Sequence, residues 1–285
     1  MTMDSLVSGA ASMGLVGCSM RFKVLVINLA DAHARRERLG RHLEALGVEP
    51  VCWVDAVRGS EVSPAARAAV AADSRSVRRY GRVLTAGELG CALSHVKAYE
   101  QLLAGPEDYG LVLEDDAVLL PEVASLLSCE AMRDWMAVPL PRLLLMTPIR
   151  SFLRRGRQPF WKGYERVQVR RAWEGYGYVI NRAAAAVMRD VNTPAWLSAD
   201  DWVAYRKLGG IEVCGMDPFC IGYLETAASQ LEADRRQAET AAGRARSLGA
   251  RLAKLGRQVQ DALYYRPFIG LDRQRMPKGW PDHEG

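Results

Sequence analysis

Three consecutive acids, Glu114, Asp115 and Asp116, stand between two apolar runs in the stretch Y-G-L-V-L-E-D-D-A-V-L-L, Tyr109 to Leu120. Like charges at that range repel, and each buried carboxylate needs a proton, a partner or a cation. Carboxylate oxygens are hard ligands, so the cation that suits them is Mn²⁺ or Mg²⁺. On a strand, Glu114 and Asp116 share a face and Asp115 points the other way. The competing reading is structural, with Asp115-Asp116 as the N-cap of a following helix. A second acidic point, Asp200-Asp201, lies in P-A-W-L-S-A-D-D-W between Trp196 and Trp202. Those acids serve a reaction as a base, or they open a helix that Ser198 caps. His95, beside Ser94, sits on an apolar helical stripe, where a histidine is either a structural residue or an acid–base group.

The elements that must carry these residues follow from the apolar pattern. Phe22 to Leu29, F-K-V-L-V-I-N-L, reads as a buried parallel strand. Asp31 then offers an N-cap to a helix over Ala32 to Leu46, closed by Gly47, and Val51 to Val54 reads as a second strand. A β-α-β opening implies a right-handed crossover and a parallel sheet, with ligands beyond the carboxyl ends of the strands. Asn28, Arg35, Arg36, Arg38 and Asp55 fall near those ends. Ser60 to Val83 reads as an irregular or helical excursion. Thr85 and Glu88 form a capping box for a helix whose stripe is Leu89, Ala92, Leu93, Val96, Tyr99 and Leu103. The first apolar run of the acidic stretch, bounded by Gly110, reads as a strand.

Past the acids, Pro121 to Met136 reads as helix and Leu143 to Met146 as strand. Arg150 to Gln168 is basic and aromatic, either a mobile acceptor loop or a surface hairpin. Trp173 to Asn181 carries glycines that permit close backbone approach and then a short strand. Ile211 to Cys220 reads as a last edge strand. From 225 to about 263, Leu248, Leu252, Leu255, Val259 and Leu263 recur at helical spacing among basic residues, an amphipathic helix that packs on the body, pairs with a second copy or lies on an anionic membrane.

The 285 residues, with a net charge of +5 and an ordinary apolar share for a soluble protein, leave room for one large domain or two small ones. The basic residues are dispersed, so nucleic-acid binding is not indicated. Six cysteines show no C-x-x-C pair, and only Cys214 and Cys220 lie close together; buried thiols in a reducing compartment account for them better than a zinc site or disulfides. No run has the length of a membrane span. The first twenty residues lack a basic n-region, with Asp4 in its place, and read as a disordered extension.

In order, V-L-V-I-N-L with an Arg-rich helix, T-A-G-E-L-G-C-A-L-S-H, L-V-L-E-D-D-A and G-Y-G-Y-V-I-N-R-A-A-A with a downstream Asp resemble glycosyltransferase family 25, over about Phe22 to Tyr223. The family contains lipopolysaccharide-type and collagen galactosyltransferases, and the block Glu88 to His95 ahead of E-D-D is its most specific mark. The resemblance implies an α/β, GT-A-like single Rossmann-type domain with a mixed, mostly parallel sheet. It spans 21–224, after an extension over 1–20 and before a helical extension over 225–285. It also implies inverting transfer, usually from UDP-galactose, to a glycan hydroxyl. Glu114, Asp115 and Asp116 match the D-x-D-like motif that holds Mn²⁺ (or Mg²⁺) against the donor diphosphate. Asn28, Leu29, Arg36 and Arg38 match the donor-side N-terminal motif, and Asp55, Ser94, Glu114 and Asp115 complete the expected donor side.

Inversion needs a base for the acceptor hydroxyl. Asp200 or Asp201 is the candidate, with Glu88 and His95 in reserve. Trp173, Tyr176, Trp196 and Trp202 are either platforms for sugar faces or core. UDP-glucose or another nucleotide sugar is the alternative donor, and a nucleotide-binding scaffold without turnover is the rival from another class. A lipopolysaccharide-core acceptor implies a cytoplasmic protein working at the inner face of the membrane, and the C-terminal helix offers either peripheral membrane contact or a homodimer.

Overall fold

The computed structural model describes residues 21–224, 255–256, 259, 262–263 and 271–277. The opening follows its hydrophobic pattern. Strand β1 (Phe22–Asn28) is followed by helix α1 (His33–Ala45) and strand β2 (Val51–Asp55), and β2 lies parallel to β1. Leu39 and Leu43, one helical turn apart, are buried with Val24 and Val26 of the sheet, and Gly47 takes a left-handed φ of 67° after the helix. Asp31 does not cap α1. Ala32 holds the N-cap position without a side-chain hydrogen bond, and the Asp31 carboxylate accepts from Arg58 instead.

The excursion that follows is largely helical, with a 3-10 turn (Gly59–Glu61), α2 (Pro64–Val70) and α3 (Asp73–Tyr80). Helix α4 (Ala86–Ala104) begins with the anticipated capping box between Thr85 and Glu88. Two glycines allow its N-terminal half to dock on the preceding turn. A Cβ at Gly59 would stand 1.7 Å from Ala86 O, and one at Gly90 2.5 Å from Val57 O.

Strand β3 (Tyr109–Glu114) ends in the acids, and the chain turns into β4 (Ala117–Leu119). Then come α5 (Val123–Ser128), α6 (Glu130–Met136), β5 (Arg142–Leu145), β6 (Ser151–Trp161), β7 (Tyr164–Arg171), β8 (Gly177–Asn181), α7 (Arg182–Val191), α8 (Trp202–Gly209), β9 (Glu212–Asp217), β10 (Ile221–Tyr223) and β11 (Leu271–Asp272).

Nine strands form one sheet in the order β11-β6-β7-β9-β5-β8-β3-β1-β2, and β4 pairs with β10 apart from it. The pairs β1-β2, β1-β3 and β5-β9 are parallel, and the other five are antiparallel. The sheet is mixed and mostly antiparallel, which corrects the expectation of a mostly parallel one. Two features cause this. Strand β8 inserts between β3 and β5 against both, and β6 and β7 form a hairpin turned at Lys162 and Gly163, whose φ values are 38° and 88°. The segment 150–168 is thus a hairpin. Strand β9, expected at an edge, lies between β5 and β7 because the hairpin pairs with it and β11 pairs beyond.

Alternate residues face opposite layers. Val24, Val26, Leu111 and Leu113 pack with residues of α1, α5 and α6, whereas Leu25, Ile27, Val112 and Tyr178 pack with α4, α7 and α8. The architecture is α/β with helices on both faces of the sheet. The expected extension 1–20 and most of the basic helix read over 225–263 lie outside the described residues. Leu255, Val259 and Leu263 of its stripe are exposed.

Candidate active site at the ends of the central strands

Strand direction decides what meets at the acids. Strands β1 and β3 are parallel, with Ile27 opposite Glu114, so Asn28 and the acid triplet share one carboxyl-terminal edge. Strand β8 runs the other way and begins at that edge. Gly177 pairs with Leu113, and Glu114 N donates to Tyr176 O at 3.1 Å. The segment before β8 is thereby brought to the acids. A Cβ added at Gly175 would lie 3.6 Å from Asp200 Cβ and 4.0 Å from Glu114 Oε1. Glu114 and Asp200 therefore approach one another across a residue without a side chain.

The three acids have three environments. Glu114 Oε1 lies 3.4 Å from Nε2 of the buried His95, whose Nδ1 is 2.7 Å from Tyr178 Oη. Tyr178 Oη is in turn 2.8 Å from Tyr99 Oη. Asp115, in the turn beyond the strand, accepts from Asn28 Nδ2 at 2.7 Å, with Arg35 Nε at 3.4 Å. Burial raises its pKa, and the Asn28 bond and Arg35 pull it back. Asp116 is half-buried, and burial, then Glu114 and Asp115, push its carboxyl up to about 7.

Asp115 and Asp116 form the turn into β4 and cap no helix. Arg38 grips that turn by its backbone, donating to Asp115 O at 2.8 Å and Ala117 O at 3.5 Å. Burial lowers the Arg38 pKa. Among the described residues six sealed side-chain polar atoms have no hydrogen-bond partner, and Asn28 Oδ1, Arg38 Nε and Asp116 Oδ1 are three of them. Such atoms are rare in a folded protein, so their concentration at one turn marks a place built for something else to bind.

The remaining candidates are mostly committed to the fold. Asp201 caps α8 through Ala204 N and accepts from Arg79 at 2.5 and 2.6 Å and from Tyr80 Oη at 2.7 Å. Ser198, expected as the cap of this helix, leaves that place to Asp201. Glu88 is buried in the capping box and accepts from Arg82 at 2.6 and 2.9 Å. Ser94 accepts from Val57 N at 2.8 Å and donates to Gly90 O at 2.6 Å, tying α4 to the chain after β2. Leu29 O accepts from Ala32 N, Asp55 is exposed at the end of β2, and Arg36 lies 4.7 Å over the Trp53 ring.

Of the aromatic platforms, Trp173 is 59% exposed. Tyr176, Trp196 and Trp202 are buried. Tyr176 donates to Glu174 at 2.7 Å, the Trp196 indole to Val191 O at 2.7 Å and the Trp202 indole to Glu174 O at 3.1 Å.

Two participants were not singled out by sequence reasoning: Cys91 and Tyr178. The spacing C-x-x-x-H within a helix was a usable signal for Cys91. No local signal places Tyr178, because its neighbours come from elements far apart in the chain, whereas the glycines of Trp173–Asn181 carried the signal for the close approach at Gly175. Two open cavities lie elsewhere. One of about 440 Å³ is lined by Pro121, Glu122, Trp161 and Tyr164, and one of about 280 Å³ by Arg75, Arg78, Trp196 and Lys207. Neither is lined by the acid triplet. Among the described residues no helix is long and apolar enough to cross a membrane.

The structure is similar to that of a CMP:2-keto-3-deoxy-manno-octonic acid synthetase complexed with CTP, at 14% identity and a TM-score of 0.38, over 77% of this chain and 99% of that one. A likeness of that degree assigns no residue and no substrate. The sequence comparison reaches further: residues 22–137, which include β1, α4 and the acid triplet, match the model of glycosyltransferase family 25 (LPS biosynthesis protein).

Proposed function

We propose that the protein transfers a sugar from a nucleotide-sugar donor to a glycan hydroxyl, with the donor diphosphate at the Glu114–Asp116 turn. The observation that carries this is Asp116. Its Oδ1 is sealed from solvent without a partner, and its pKa is pushed up by burial first and then by the acids beside it. A hard divalent cation relieves both. The oxygen donors of Glu114 and Asp116 fit Mn²⁺ or Mg²⁺, and Asp115 borders them with one oxygen held by Asn28. When bound, such an ion neutralises the diphosphate and stabilises it as a leaving group.

The chain's own residues do the rest. Asn28 and Arg35 orient Asp115 at the donor end, and Arg38 holds the turn in place. Asp200 is the base. Asp200 borders the gap floored by Gly175, on whose other side lies Glu114, and Asp201, its neighbour, is bound to Arg79, Tyr80 and the start of α8. The acceptor hydroxyl gives its proton to Asp200 as its oxygen attacks the anomeric carbon, and the bond from that carbon to the phosphate oxygen breaks on the opposite face. The products are the inverted glycoside and a nucleoside diphosphate. Trp173, exposed at the start of the segment leading to Gly175, offers an apolar face to a sugar ring.

UDP-galactose as donor and a lipopolysaccharide core as acceptor, made at the inner membrane face, follow from the family resemblance. A panel of nucleotide sugars, with and without Mn²⁺, tests the reading by thermal stabilisation and UDP release. The expected result is metal-dependent stabilisation by one UDP-sugar with slow hydrolysis, both lost in Asp116→Ala. Transfer retained by a folded Asp116→Ala protein at saturating donor overturns it. Donor binding without turnover under every condition points to a non-catalytic scaffold.

A further inference from the structure

Cys91, His95 and Glu114 form a second constellation, which the transfer chemistry leaves unused except for its one shared acid. Cys91 and His95 are one turn apart on α4 and share a face, and Glu114 ends the neighbouring β3. A thiol sulfur, an imidazole nitrogen and a carboxylate oxygen lie within 4.8 Å of one another, the one such group of metal-ligating atoms found among the described residues. His95 Nε2 and Glu114 Oε1 are 3.4 Å apart. In a tetrahedral zinc site, with bonds of about 2.0–2.3 Å, neighbouring donors stand about 3.3–3.8 Å apart. The His–Glu edge already has that length, and the sulfur needs to move by about 1 Å at most.

His95 is also aimed. Its Nδ1 is 2.7 Å from Tyr178 Oη, its ring stacks on Tyr178 at 5.8 Å and 15°, and Tyr178 Oη meets Tyr99 Oη at 2.8 Å. This buried chain holds Nε2 toward Glu114. A hydrogen bond on the other ring nitrogen is what fixes the tautomer and orientation of metal-binding histidines.

We infer that Cys91, His95 and Glu114 bind a transition-metal ion, Zn²⁺ in preference to Mn²⁺ or Mg²⁺. Sulfur and imidazole donors select zinc-like ions, whereas the oxygen set of the acid turn selects hard ones. On binding, the Cys91 S–H proton is released to solvent as the sulfur–metal bond forms. Three protein donors leave the fourth position for water. Because Glu114 belongs to both sets, zinc at this site withdraws it from the donor turn, so zinc opposes Mn²⁺-dependent donor binding. The site itself stands apart from the transfer reading, since it needs neither Asp116 nor Asp200.

The test is calorimetric titration of the full chain with Zn²⁺ and spectroscopic titration with Co²⁺. One equivalent of zinc is expected, with a sulfur-to-cobalt charge-transfer band. Cys91→Ser removes the band and weakens zinc at least about tenfold, whereas Asp116→Asn keeps both. Should Cys91→Ser fail to fold, Glu114→Gln, verified by circular dichroism, takes its place with the same expected loss of affinity. The proposal is overturned by wild-type protein that binds no zinc, which leaves a plain His95–Glu114 hydrogen bond. It is equally overturned by a band that survives Cys91→Ser, which assigns the metal to another thiol, or by a folded Glu114→Gln protein with unchanged affinity. A failed donor reading shows instead as loss of the Asp116-dependent Mn²⁺ response, which these variants do not report.

Discussion

Asp116 and Asp217 both stand where a strand of the same sheet ends, and they have opposite fates. Asp217 is wholly buried at the end of β9 and accepts from Arg157 at 2.6 Å, from Arg275 N at 2.6 Å and from Arg275 Nε at 3.0 Å. Arg157 and Arg275 also bond Glu165, and the Arg157 bond to Glu165 holds that carboxyl below its ordinary range. Every charge in this cluster has a partner, and the cluster fastens the segment after β11 to the body of the sheet. Asp116 has like-charged neighbours, a sealed oxygen without a donor and a raised pKa. A buried acid that the protein satisfies is part of the structure, and one that it leaves unsatisfied is waiting for a ligand.

The largest effect expected from breaking this contrast is catalytic. Asp200→Asn should lower kcat by about 10²–10⁴-fold in a protein that still folds, because it removes the proposed base. An unchanged kcat would move the base elsewhere. Asp217→Ala should do the reverse. It strands two arginines that retain some solvent, so denaturant unfolding should show a loss of about 2–3 kcal/mol, with donor binding by the surviving folded protein intact. Asp201→Asn should resemble it in kind, costing about 1–2 kcal/mol through the Arg79 pair and the α8 cap. A large loss of kcat at unchanged stability would instead make Asp201 the base.

Smaller still is the pH dependence of Asp116. Its folded pKa of about 7 lies above the ordinary 3.8, so the protonated form favours folding. That contribution is fully present below pH 3.8 and is lost as pH rises through about 7. Asp116→Asn should therefore be more stable than the parent at pH 8 by about 1–2 kcal/mol, a figure reduced for the acid's solvent contact. Mn²⁺ should stabilise the parent at pH 8 and leave the variant unmoved. Equal urea midpoints for both proteins across pH 4 to 8 would remove the argument from the unsatisfied carboxyl.

Much of this was legible in the chain itself. The apolar run before Glu114, the Leu39 and Leu43 spacing and the Thr85–Glu88 box each specify a local element, and each forms where the pattern puts it. The alternation expected through Glu114, Asp115 and Asp116 does not apply, because β3 ends at Glu114 and the next two acids form a turn, in which Asp115 meets Asn28 and Arg35. The direction of β8 was not legible. Its residues are apolar on both faces, which suits a buried strand of either orientation, and the choice between parallel and antiparallel rests on neighbours outside the segment. The aromatic residues divide the same way. Trp173 and Trp202 look alike in sequence, and only packing separates the 59% exposed one from the buried one.

By itself, then, the sequence determined the elements, the acid triplet at a strand end and the family resemblance, because periodicity, capping and motif spacing are local properties. Tertiary structure alone decided which acids are satisfied. Asp201 and Asp217 acquire ion-paired arginines from distant segments, Asp116 Oδ1 acquires no hydrogen-bond donor, and Glu114 meets His95 and Cys91 because β3 lies beside α4. The fate of a buried charge depends on the polar groups that other elements bring within hydrogen-bond reach, and that reach is set by the fold.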